Sequence, residues 1–119
     1  MNSLPDGYRA LVIGASGAIG GALVDALSAD PRCAGVTALS RQGQPAVDLT
    51  DEAQVAAAAA ALRAQAPFHL LVCATGVLQA GGRPPEKRLA DLDAATLSRL
   101  FLTNAVGPAL FIKQFHSLL

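Results

Sequence analysis

The sequence is poor in the features that would mark several protein classes. It has two cysteines, Cys33 and Cys73, too few and too far apart for a disulfide framework or a metal knuckle. Both read as small buried hydrophobes in a reducing compartment. It has no excess of either charge, nine basic residues against nine acidic. No Lys/Arg cluster is long enough to neutralise a run of phosphates, so a nucleic-acid partner is not expected. Long apolar runs are absent too. The longest, Val55 to Leu62, has eight residues and is mostly alanine, well short of the ~20 needed to cross a bilayer. No basic segment followed by an apolar one opens the chain, so neither a leader nor a membrane association is expected, and the protein reads as cytoplasmic. Tyrosine occurs once, as Tyr8.

What is present suits a single α/β domain. With 119 residues and 52% apolar side chains, one core of useful size is available. Arg9 to Ile13 is a short apolar run bounded by glycine and reads as a buried strand. Ile19, Leu23, Ala26 and Leu27 recur at helical spacing and predict a helix over Ala18 to Ser28, stopped by Asp30-Pro31. Gly35 to Leu39 is a second strand, and Ala46 to Leu49 is expected as a very short third. Thr50 is expected to cap a helix over Asp51 to Ala64, with Asp51 and Glu52 in its first turn. Phe68 to Cys73 predicts a fourth strand, covered on both faces. Gly76 to Arg88 reads as a loop. Asp91 and Asp93 then act as cap and dipole complement for a long helix to Leu119, with a kink expected at Gly107-Pro108. Alternating strands and helices predict a Rossmann-like, doubly wound parallel sheet.

One motif carries chemistry. Gly14, Gly17 and Gly20 lie in Ile13-Gly14-Ala15-Ser16-Gly17-Ala18-Ile19-Gly20, where the first strand turns into the first helix. A helix N-terminus has unpaired N–H groups and a positive dipole end, and a pyrophosphate can reach them only where side chains are missing. Gly14 suits the tight turn, Gly17 the close approach, and Gly20 the packing of helix on strand. About twenty residues on, a NAD site usually offers an acid to the ribose; here Leu39-Ser40-Arg41 follows instead. Arg41 matches a 2′-phosphate, so NADP(H) is preferred, with NAD(H) second. His69 reads as a partly buried core residue and His116 as a surface one.

With the Asp48-Leu49-Thr50-Asp51 stretch, the Cys73-Ala74-Thr75-Gly76 turn and Asn104, the glycine loop resembles the N-terminal half of a short-chain dehydrogenase/reductase. Pro85-Glu86-Lys87 and Asn104-Ala105-Val106-Gly107-Pro108 look most like its C-factor-like branch, whose members are oxidoreductases or cell-to-cell signalling proteins. The resemblance implies that Gly14, Ser16, Gly17, Ile19, Gly20, Ser40 and Arg41 bind the cofactor. It implies that Asp48 bonds the adenine amino group, that Leu49 lies on the ring, and that Ala74 and Gly76 let the backbone approach ribose and nicotinamide. Asn104 would be the helix asparagine that helps hold a catalytic lysine. Cys73 stands where the family's turn begins with asparagine.

The family's general acid is a tyrosine with a lysine four residues later and a serine nearby. Tyr8 is followed at that distance by Val12. The resemblance therefore implies strand order 3-2-1-4 in a chain that stops before the catalytic segment. It implies a carbonyl/alcohol pair as the substrate of the intact form. The alternatives are a dinucleotide-binding module without catalysis and a signalling module. An open sheet edge and the long helix lead us to expect homo-oligomers.

Overall fold

The computed structural model describes residues 3–119; Met1 and Asn2, part of the leader reading, lie outside them. The strands are β1 (Tyr8–Ile13), β2 (Cys33–Leu39) and β3 (Leu70–Cys73), and the first two helices are α1 (Ala18–Ser28) and α2 (Glu52–Leu62). The long C-terminal helix begins with α3 (Ala94–Phe101), passes through a π-helical turn over Leu102–Val106, and continues as α4 (Gly107–Phe115).

All pairings are parallel, in the order β2-β1-β3. Ile13 sits between Leu39 and Cys73, so the three strands end level with one another. The central strand is dry on both faces, as its unbroken apolar sequence requires. Its even-numbered residues Tyr8, Ala10 and Val12 pack with Leu27 and Val24 of α1. Leu11 and Ile13 point the other way, into Val55, Ala58 and Leu62 of α2 and Phe111 and Phe115 of α4. Tyr8 closes the far end of the sheet, its hydroxyl donating to Asp30 at 3.0 Å. Burial, and then Asp30, push its ionisation up to about 12.

Several boundaries differ from the sequence reading. The short third strand is reduced to one bridge between Ser40 and Ala46, so the sheet has three strands, not the four of a 3-2-1-4 order. Pro45 has no N–H to extend that ladder, and the Asp48 N–H is taken by the Gln54 side chain. Asp51, not Thr50, caps α2, accepting from the N–H groups of Ala53 and Gln54. The Thr50 hydroxyl is engaged with Asp48 instead. β3 starts at Leu70 and its first three residues are only half-buried, because it forms a sheet edge.

Cys73 is exposed and Cys33 half-buried, so neither is the buried hydrophobe expected. His69 is also exposed, and its Nδ1 accepts the Arg9 N–H at 3.1 Å.

At the predicted kink the structure has a π-helical turn, over Leu102–Val106 immediately before Gly107-Pro108, for a definable reason. Pro108 cannot offer an N–H to the carbonyl of Asn104, and the Gly107 N–H reaches back five residues to Leu102. The turn widens into a π-bulge. Ala94–Leu118 is also one helix long and apolar enough to cross a membrane, by length and composition alone. The sequence reading missed it by counting only unbroken apolar residues, whereas here scattered polar residues dilute a 25-residue helix. One face is already committed to the core through Phe111, Phe115 and Leu118, while Phe101, Val106 and Ile112 are exposed.

Candidate dinucleotide cleft

Because the strands end together, the loops that leave them converge. They enclose a cleft of about 510 Å³. Gly14, Ser16 and Gly17 line it from the first loop, and Ser40 and Arg41 from the end of β2. Asp48 and Leu49 come from the segment before α2, and Ala74 and Gly76 from the end of β3. Nine of the residues singled out in the sequence thus share one cavity. Ile19, Gly20 and Asn104 are outside its lining.

The three glycines are needed for different reasons. Gly14 has φ +88°, and a Cβ there would come within 2.6 Å of the Ala74 carbonyl oxygen. It therefore serves both the turn and the approach of the loop after β3. A Cβ on Gly20, which is buried, would overlap the Gly14 carbonyl, so that residue lets α1 lie close on its own loop. Gly17 is different. Its φ is an ordinary −81°, and a Cβ would meet nothing nearer than 3.4 Å. The fold itself does not require glycine there.

Gly17 is also the N-cap of α1, and no side chain caps it. By contrast, Asp51 caps α2 and Asp93 caps α3. The first turn of α1 holds no acid, so the positive end of its dipole, beside the cleft-lining Gly17, carries no compensating charge of its own. Ile19, in that turn, is 72% exposed and stands outside the cleft.

Opposite the glycine loop, Asp48 is held in place by Thr50, whose hydroxyl and N–H both donate to Oδ1, at 2.7 and 2.9 Å. These bonds, with a smaller contribution from the nearby Arg41 charge, keep its carboxyl below the usual range. The carboxylate stays ionised with Oδ2 left to accept. Leu49 is buried against the long helix at Gly107, where a Cβ would approach its own within 2.9 Å.

Asn104 works on the wall rather than in the cavity. Its Oδ1 accepts the Val77 N–H and its Nδ2 donates to the Val77 carbonyl, both at 2.8 Å. The amide ties the loop after β3 to the π-turn of the long helix. Sequence reasoning missed Arg99, Leu102 and Thr103, which complete the cleft from that helix. Their i, i+3, i+4 spacing puts them on one helical face, the only signal the sequence held. Among the described residues no His, Cys, Asp and Glu group could hold a metal.

A glycine-rich strand-to-helix turn, a parallel sheet and a cleft at the strand ends define a Rossmann-like dinucleotide-binding domain. The NAD dependent epimerase/dehydratase family model matches residues 10–90, and the chain belongs to that family. Its fold is shared with short-chain dehydrogenases and reductases. An NADPH-bound carbonyl reductase from chicken fatty liver superposes with a TM-score of 0.79 at 22% identity, over 97% of this chain and 49% of that one. A small-chain dehydrogenase in complex with NADPH gives 0.70 at 23% identity, over 96% and 47%. Thermoplasma acidophilum aldohexose dehydrogenase gives 0.75 at 19%, over 93% and 44%. The chain thus spans about half the length of these solved structures. Among curated proteins there is no match.

Proposed function

We propose that the cleft holds NADP(H) and that this chain is the cofactor-binding part of an oxidoreductase for a carbonyl/alcohol pair. The observation that carries the reading is Gly17, a glycine that the fold does not need, at the uncapped N-terminus of the helix facing the cleft. Gly14, Ser16 and Gly17 receive the pyrophosphate, while Gly20 holds α1 in place from beneath. Ser40 and Arg41 take the 2′-phosphate. Asp48, ionised and anchored by Thr50, accepts from the adenine amino group through Oδ2, and Leu49 supports the ring. Ala74 and Gly76 leave room for the second nucleoside, and Asn104 fixes the Val77 backbone beside it. When bound, the nicotinamide supplies or accepts hydride.

This chain's own residues bind and orient. Its only tyrosine is sealed into the far end of the sheet on Asp30, which favours a second reading, binding without turnover by these residues alone. NADPH fluorescence titrated with protein should show saturable binding, and absence of binding refutes both readings. Arg41→Ala should weaken NADPH about tenfold or more, the loss of a charge-assisted pair, and leave NADH unchanged. Equal loss for both would refute the NADP(H) preference.

Self-association fits the same picture, because Phe101, Val106 and Ile112 lie exposed along one long helix. Sedimentation is expected to give a dimer or larger species, lost on Ile112→Glu. A wild-type monomer at high concentration contradicts it.

A further inference from the structure

Three arginines follow one another along the far wall of the cleft and the loop above it. Arg83 is held by Asp93 at 2.7 Å and Arg88 by Asp91 at 2.9 Å. The Arg99 side chain has no hydrogen bond or ion pair with any described residue, and it alone of the three lines the cleft. Its guanidinium rests on the bare backbone of Gly81, where a Cβ would come within 2.7 Å of Nη1. Gly81 has φ +65°, a conformation glycine adopts without strain. The guanidinium therefore lies directly beside the Gly81 backbone, where no side chain intervenes. The rest of that wall includes Val77, Ala80 and Leu102, which offer the charge no counter-ion.

The strand order decides which half of the cleft this is. Arg41 follows β2, the glycine loop follows the central β1, and the segment under Arg99 follows β3. With a pyrophosphate over β1 and a 2′-phosphate at Arg41, the second nucleoside and the substrate beyond it extend toward the β3 side. We infer that Arg99, seated on Gly81, anchors a carboxylate of the substrate, which makes the substrate class an oxo acid or the matching hydroxy acid. A single planar guanidinium pairs with one carboxylate through two parallel bonds, a match of both charge and shape. The inference rests on the NADP(H) reading for the direction in which the cofactor lies.

The test uses amide and guanidinium NMR signals of the whole chain, at Gly81, Gly82 and Arg99, with and without saturating NADP⁺. Pyruvate and levulinate, which place the carboxylate at two distances from the carbonyl, are titrated beside their neutral methyl esters. At least one acid should bind about tenfold or more tightly than its ester. Arg99→Ala should abolish that difference while leaving NADP⁺ affinity unchanged, and Arg99→Lys should restore only part of it. Equal binding of acid and ester, no binding of either acid, or an unaltered preference in Arg99→Ala overturns the inference. So does a loss of NADP⁺ affinity in Arg99→Ala, which would make Arg99 a cofactor ligand. Failure of wild-type NADP⁺ binding refutes the cofactor reading separately, and the arm without cofactor still decides whether Arg99 selects carboxylates.

Discussion

Gly20→Ala is expected to lower the melting temperature by roughly 10 °C or more, whereas Gly17→Ala is expected to move it by no more than about 3 °C. The added methyl at position 20 overlaps the carbonyl of Gly14. That atom belongs to a loop whose own N–H is fixed to Leu39 at 3.0 Å. Relief requires moving backbone, so the cost belongs at or above the upper end of the ~1–3 kcal/mol of overpacking. At position 17 the methyl meets only ordinary contacts. Alanine is the poorer N-cap, but it also restricts the unfolded chain, and the two effects, each up to about 1 kcal/mol, offset one another. The functional consequence runs the opposite way. Gly17→Ala should lose about tenfold or more in NADPH affinity while staying folded. Circular dichroism melts beside fluorescence titrations check both halves; a Gly17→Ala protein that binds NADPH as wild type does removes the main support for the cofactor site.

Phe115→Ala should be the most damaging substitution in the long helix, at about 3–5 kcal/mol. Its ring is fully buried and lies 4.7 Å from that of Phe111, tilted by 35°. The two phenylalanines join α4 to α2 and the sheet, within one cluster with Val55, Leu62 and Leu11. Against a total stability of about 5–15 kcal/mol, that loss leaves little of a small domain. Phe101→Ala is the matched control, since its side chain is 65% exposed in the same helix. It should cost no more than about 0.5 kcal/mol in this chain. Urea denaturation separates them, and equal midpoints for the two variants would mean that the long helix does not dock as described.

The long helix also shows how sequence and structure divide the information. Its existence and its irregular turn before Gly107-Pro108 follow from local chemistry, because a missing N–H disturbs the backbone ladder wherever the helix packs. Which residues it lends to the cleft does not follow. Arg99 becomes part of the site only because Gly107 lets the helix close on Leu49, and because Asn104 ties it to Val77. Those partners are 58 and 27 positions away in the chain, and no window of sequence contains them. The capping error at Thr50 has the same origin on a smaller scale. Thr50 is a good cap by composition, but Asp48 engages its hydroxyl first.

The glycines mark the boundary most clearly. The spacing of Gly14, Gly17 and Gly20 between a strand and a helix is enough to single out a tight glycine turn of the dinucleotide-binding pattern, since backbone conformation and missing side chains are properties of the residues themselves. What each glycine is for depends on what lies opposite it. Ala74 lies against Gly14, the Gly14 carbonyl presses on Gly20, and against Gly17 the same carbonyl makes no more than an ordinary contact. By itself the sequence determined the βαβ unit, nine of the cleft's lining residues and the place where the long helix loses its regular ladder. Only the tertiary structure decided which glycine the packing requires and that Arg99 lines the cleft, because through-space neighbours come from packing and the chain's order does not encode them locally.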